Sequence, residues 1–414
     1  MRTASTSATL FLIVLFLSTP VSSASDWPQW RGPDRDGNAA DAQLPAELPE
    51  ELTRLWSVEV GTGHSSPVVV GDRVYIFSRQ GEEEIARALD LDDGHEIWSY
   101  GIETSYRRNP AAFLHGKGPK STPVANAESL CTLGISGRLS CLDRATGTLR
   151  WQEDFNGRFD RAWPDFGTAT SPAVFEDRLI AYVGGNKEGA LSAFDLLTGK
   201  EIWSWAEEGP GYASPIAVEL EGVEQIVTQS RENVISVAAG SGELLWKMQL
   251  KTPYAQNSVT PIQHGSKLII SGLNSAVIAI EPKTDGRGKW LVQQVWRNEE
   301  LPMYMSSPVI LGDLIFGLAD KRKGQLFCMN ADSGEVQWTS TGREGDNASL
   351  ILTQRRLLVL NTDAELRIGP ATADGFEPEA SYSVADSATW AHPALVGNRI
   401  LVKDKTHLTA WSFE

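Results

Sequence analysis

Five short strings in this chain end alike: DDGHEIW at Trp98, ATGTLRW at Trp151, TGKEIW at Trp203, GSGELLW at Trp246 and DSGEVQW at Trp338. Each closes a longer unit with a fixed order. A small polar residue and proline come first, then a β-rich run, a turn, a second run and a glycine turn. A third run ends in a small residue, an aliphatic residue and Asp, and a fourth run carries the tryptophan. The prolines at 67, 123, 172, 215, 261 and 308 lie 56, 49, 43, 46 and 47 residues apart. Further copies begin near Ser349 and at His392-Pro393. Spacings in this range are those of four-stranded propeller blades. The runs DRVYIF, DRLIAYV, SKLIISGL and NRILVKD are alternating or wholly apolar, as buried strands require.

The pattern predicts an all-β chain: a single eight-bladed β-propeller of four-stranded antiparallel blades. The last copy stops after its third strand, whereas LTRLWSVEV (52–60) precedes the first copy and reads as a lone fourth strand. That strand is expected to complete the last blade and leave no free edge. Facing blades diverge toward the rim, so a bulky outer side chain must fill the gap. The five tryptophans are therefore expected to be buried between blades, each following a glycine able to take positive φ. The seventh copy is the weakest and has only Tyr382 in the tryptophan place.

Ahead of this ring, residues 1–24 read as a signal peptide: Arg2, the apolar run LFLIVLFL, then VSSA with small residues before a cleavage ahead of Ser25. Residues 25–51 form an extension, and 52–414 the propeller. The expectation is an exported, soluble, periplasmic or extracellular monomer without a transmembrane segment. Charge narrows the partners. With 37 Lys and Arg against 53 Asp and Glu the net charge is −16, which argues against nucleic acid and anionic lipid.

Three cysteines are too few for a disulfide framework. Cys141 and Cys328 stand where other copies carry alanine. Cys131 and Cys141 flank the turn GISG, so either a hairpin disulfide or small buried side chains are open. DRDG (34–37) and GEEE (81–84) lack the pattern of a calcium loop, and GGNKEG and GKGP lack that of a phosphate loop. No metal site and no catalytic residue is assigned.

The repeat resembles that of quinoprotein propellers, through Ala88-Leu89-Asp90, Gly94 and Trp98, and through Ala193-Phe194-Asp195, Thr198-Gly199 and Trp203. The superfamily includes alcohol dehydrogenases that bind pyrroloquinoline quinone (PQQ) and the non-enzymatic barrel-assembly lipoprotein BamB. The opening string Trp27-Pro28-Gln29-Trp30-Arg31-Gly32-Pro33 is similar to the tag of exported bacterial PQQ-binding-like β-propeller proteins. This resemblance covers the mature chain and implies the fold. It also implies two functions: a binding or scaffold module, or a PQQ-dependent dehydrogenase of alcohols or sugars. The enzymes of that group use a catalytic carboxylate, calcium held by Glu and Asn, and usually a disulfide between adjacent cysteines, none of which is matched here.

Topology predicts where a ligand belongs. The links between blades and the turns between second and third strands share one face, and the links crowd the channel mouth. On the links, His64, His115, Lys117, Lys120, Tyr212, Gln256, Asn257, Tyr304, Asn347 and His392 exceed what crowded inner strands need. Lys321 and Arg322, on the turn ADKRKG, add charge at the rim. A small anionic or polyhydroxylated molecule, or a protein partner, is the expected occupant.

Overall fold

The computed structural model describes residues 26–414; the signal-peptide reading lies outside them. Eight four-stranded antiparallel sheets form the blades. Blade 1 consists of Val68–Val70, Arg73–Gln80, Glu83–Asp90 and Glu96–Glu103, running from axis to rim. Blades 2 to 7 repeat this order, with inner strands at Val124–Ala125, Ala173–Phe175, Ile216–Leu220, Ile262–His264, Val309–Leu311 and Ala348–Leu352. Blade 8 contains Ala394–Val396, Arg399–Lys403 and His407–Ser412, and Thr53–Glu59 pairs with His407–Ser412 as its outer strand. Chain start and chain end thus close the ring, as the unpaired copy predicts.

The tryptophan does more than fill space. In the outer strands Trp56, Trp98, Trp151, Trp203 and Trp296 each reach across to the next blade and rest on the glycine of its third turn: Gly94, Gly147, Gly199, Gly242 and Gly334. A Cβ on any of these glycines would meet the indole at 2.5–2.7 Å, so the x-x-G signature is set by contact as well as by its φ of +71 to +77°. The indole N–H then donates to a carbonyl in the same turn, at 3.0 Å for Trp56 to Leu91, 2.9 Å for Trp151 to Leu196 and 2.9 Å for Trp203 to Ala239. On the third strand a small side chain sits opposite Trp98, Trp151, Trp203, Trp246 and Trp338, namely Ala88, Cys141, Ala193, Ser236 and Cys328 in turn, and Ala410 and Ala279 sit opposite Trp56 and Trp296. That contact accounts for the alternation of cysteine with alanine.

The expectation of uniform burial needs correction. Trp203 and Trp246 are buried, but Trp98, Trp151 and Trp338 are partly exposed. Trp246 faces a longer hairpin, Ser275–Thr284 to Trp290–Asn298, without the docking glycine, and bonds Gln225 of its own blade instead. In blade 7 Tyr382 takes the place and donates to Pro49 O at 2.7 Å. Cys131 and Cys141 are directly opposed on neighbouring strands of blade 2 and form a disulfide; Cys328 is buried and free.

At the axis, the Ser/Thr-Pro starts form a belt. The amide of Ser66 donates to Thr122 Oγ1, that of Thr122 to Ser171 Oγ, Ser171 to Ser214 Oγ, Ser214 to Thr260 Oγ1 and Thr260 to Ser307 Oγ. Each hydroxyl satisfies a backbone N–H that the short inner strand leaves unpaired.

Candidate functional site: a cup at the channel mouth

The extension 26–51 packs on the ring, and its first part enters the channel. Asp26 receives an N–H from Gly71, in a turn on the face opposite the links, so the segment comes in from that side. Trp27 is buried and bridges Val69 of blade 1. Arg35 donates to Ser171 O and Pro172 O of blade 3, Trp30 to Thr260 Oγ1, Arg31 to Pro308 O, and Ala39 N to Leu352 O of blade 7. One short segment therefore ties blades 1, 3, 5, 6 and 7 together across the axis.

Above this plug lies a cup of about 240 Å³. All eight links build its wall, and Trp30 and Arg31 lie at its floor. Eight of the twelve residues singled out from sequence line it: His64, His115, Lys120, Tyr212, Gln256, Tyr304, Asn347 and His392. The other four are placed elsewhere. Asn257 is fully buried, its amide nitrogen donating to Ser230 O, Arg231 O and Leu250 O, so it staples a loop. Lys117 is exposed in an outer groove with Arg107, Arg108 and Phe113. Lys321 and Arg322 are exposed on their turn and do not line the cup. Sequence reasoning passed over Trp30, Arg31, Phe166 and Trp390. Trp390 stands two residues before His392 on the same link, whereas nothing local tells that the tag enters the channel.

The electrostatics follow from burial. Lys120 keeps one hydrogen bond, to Phe166 O at 2.7 Å, and burial lowers its pKa to about 8. His64, buried and close to Lys120 and His115, is lowered to about 3. Its Nε2 faces His115 O at 3.1 Å, and both rings meet Trp390 edge-on at 5.8 and 4.8 Å. His392 lies against Trp27 and Trp30, and burial lowers it to about 4. At neutral pH the cup thus carries Arg31 and Lys120 as cations among neutral imidazoles, indoles and hydroxyls. No Asp or Glu among the described residues lines it.

These burials make stability pH-dependent. Unfolded, His64 and His392 take a proton near 6.5; folded, they take it only near 3 and 4. Their contribution is full above pH 6.5 and is lost as pH falls toward 3. Glu84, buried, is raised to about 7 from 4.5 and works the other way, favouring the fold as pH falls from 7 to 4.5. Two groups outweigh one, at about 1.4 kcal/mol per pH unit each. Thermal scans at stepped pH are expected to show the melting temperature falling from pH 6.5 to 4.5, with a shallower fall in His392→Gln.

Calcium and a catalytic base would need carboxylates, and none among the described residues lines the cup. Calcium takes six to eight oxygens, with carboxylates prominent. The cup offers amides and hydroxyls beside two cations, and Cys131 and Cys141 do not line it. This residue set does not suit a calcium–quinone pair.

A family profile described as "Outer membrane protein assembly factor BamB" matches residues 81–340. BamB of Burkholderia pseudomallei (strain K96243) is 22% identical over 358 residues, covering 76% of this chain and 86% of that protein. The quinohemoprotein alcohol dehydrogenase of Comamonas testosteroni is 24% identical over 290 residues, covering 66% of this chain; the chain spans 39% of that enzyme's length. The crystal structure of BamB from Moraxella catarrhalis superposes with a TM-score of 0.64 at 15% identity, covering 88% of this chain and 98% of that one. At that identity the likeness is one of fold.

Proposed function

This chain belongs to the family of the outer membrane protein assembly factor BamB, and from that premise we propose that it is an exported, non-catalytic binding propeller. Its ligand site is the cup, which takes an anionic group presented by a small molecule or a partner protein. The observation that carries this reading is the charge of the lining: buried Arg31, half-buried Lys120 and no carboxylate among the described residues, in a protein of net charge −16. A carboxylate or similar anion entering the cup meets hydrogen-bond donors and a field of opposite sign to that of the outer surface. Export is supported by the Cys131–Cys141 disulfide, which suits an oxidising compartment. No helix among the described residues is long and apolar enough to cross a membrane.

The rival reading, a PQQ-dependent dehydrogenase, draws on the similarity to the Comamonas testosteroni enzyme. Incubating the protein with PQQ and calcium chloride and following dye reduction with ethanol, glycerol and glucose separates the two. No substrate-dependent reduction is expected. Turnover that needs both additives would overturn the non-catalytic assignment.

A further inference from the structure

We propose that the N-terminal segment completes the cup, and that Arg31 makes its floor a recognition point for the carboxylate of a hydroxylated single-ring acid, a sugar acid. This inference rests on the reading of the cup as a ligand site.

Arg31 is 1% exposed, although it lines the cup. Its Nη2 donates to Asp36 O at 2.8 Å and to Pro308 O. Its Nε and Nη1 have no partner among the described residues, so three of the five guanidinium N–H donors are unsatisfied there. Buried donors are nearly always paired, and a buried cation without hydrogen bonds is costly. The carboxylate that acts on Arg31, that of Asp36, lies in the cavity on the other side of the plug and receives the amide of Asn38. The guanidinium therefore lacks a counter-ion on the cup side. Planar N–H donors of this kind match a carboxylate.

The rest of the lining describes what the carboxylate is attached to. Gln256 Oε1 is buried without a donor among the described residues and suits a ligand hydroxyl. Trp30 and Trp390 offer apolar faces, and Lys120 has donors to spare beyond its one bond to Phe166 O. The volume, about 240 Å³, lies below the roughly 300–1,000 Å³ of sites for drug-sized molecules. One hydroxylated ring with one carboxylate meets all five features; a flat aromatic acid leaves Gln256 unanswered, and a neutral sugar leaves Arg31 unanswered.

Calorimetric titration of the mature protein with D-glucuronate, D-glucose and benzoate tests this. Glucuronate is expected to bind at least tenfold more tightly than either of the others. Arg31→Gln and Lys120→Gln are each expected to weaken it at least tenfold. Because Arg31→Gln can fail to fold, crystals of the unaltered protein soaked in glucuronate give a second readout, with the carboxylate expected within hydrogen-bond distance of Arg31. Benzoate binding as tightly as glucuronate, or no glucuronate binding, overturns the ligand class. A loss in Lys120→Gln with the soaked carboxylate away from Arg31 overturns the role of the N-terminal segment and leaves the cup standing. Glucuronate bound outside the cup, unaffected by either change, overturns the proposal and the binding site it rests on.

Discussion

Gly199→Val is expected to lower stability by about 3–5 kcal/mol, whereas Gly222→Val costs only about 1–3 kcal/mol. The two glycines have nearly the same backbone, φ +73° and +74°. They differ in what a side chain meets. A Cβ at Gly199 falls 2.5 Å from Cδ2 of Trp151 in the preceding blade, whereas one at Gly222 meets nothing within 4 Å. Strain from positive φ is common to both, so the difference isolates the docking of one blade's indole on the next. Displacing Trp151 also breaks its 2.9 Å bond to Leu196 O and uncovers the ring surface packed against Phe194. Urea midpoints of the two variants measure the difference. Equal losses would mean that the tryptophan merely fills space and that the repeat's glycine is there for its turn alone.

Removing residues 53–59 is expected to abolish the monomeric, cooperatively unfolding protein. This strand makes six residue pairs with His407–Ser412, joined by the Ser57–Thr409 hydroxyl bond at 2.8 Å. It also carries Trp56, which seals blade 8 against Gly94 and Leu91 of blade 1. Its loss leaves His407–Ser412 as a bare edge and opens the strand pairing that completes the last blade. An unpaired edge invites pairing with another chain. Size-exclusion chromatography is expected to show aggregates in place of a single species. A monodisperse product with an unchanged melting temperature would show that the ring holds without its closing strand.

Much of the ring was legible because each blade repeats the same physical problem. Trp98, Trp151 and Trp203 recur with their glycines since every pair of blades must fill the same widening gap. Ser171-Pro172 and Ser214-Pro215 recur since every short inner strand leaves an amide for a neighbour's hydroxyl. Where the contact is unique, repetition gives no help. Trp296 escaped notice because the hairpin before it is longer than in other blades. The eight sequence-chosen residues that line the cup lie at link positions whose depth follows from topology. Asn257 differs from Gln256 only by one residue along a kinked turn where Tyr254 and Ala255 have positive φ, and it turns inward to the backbone. Lys117 and Lys120 part in the same way, one outward and one into the wall. The part played by Arg31 was not readable at all. The tag touches blades far away in sequence, and no pattern within it says that it enters the channel.

On the reading proposed above, the charged cup on the link face is where this propeller takes an anion. Crystals soaked briefly in sodium bromide and measured at the bromine absorption edge test it most directly. An anomalous peak is expected inside the cup, near Lys120 and Arg31. Bromide bound only at the outer surface or on the opposite face, with none in the cup, would contradict it.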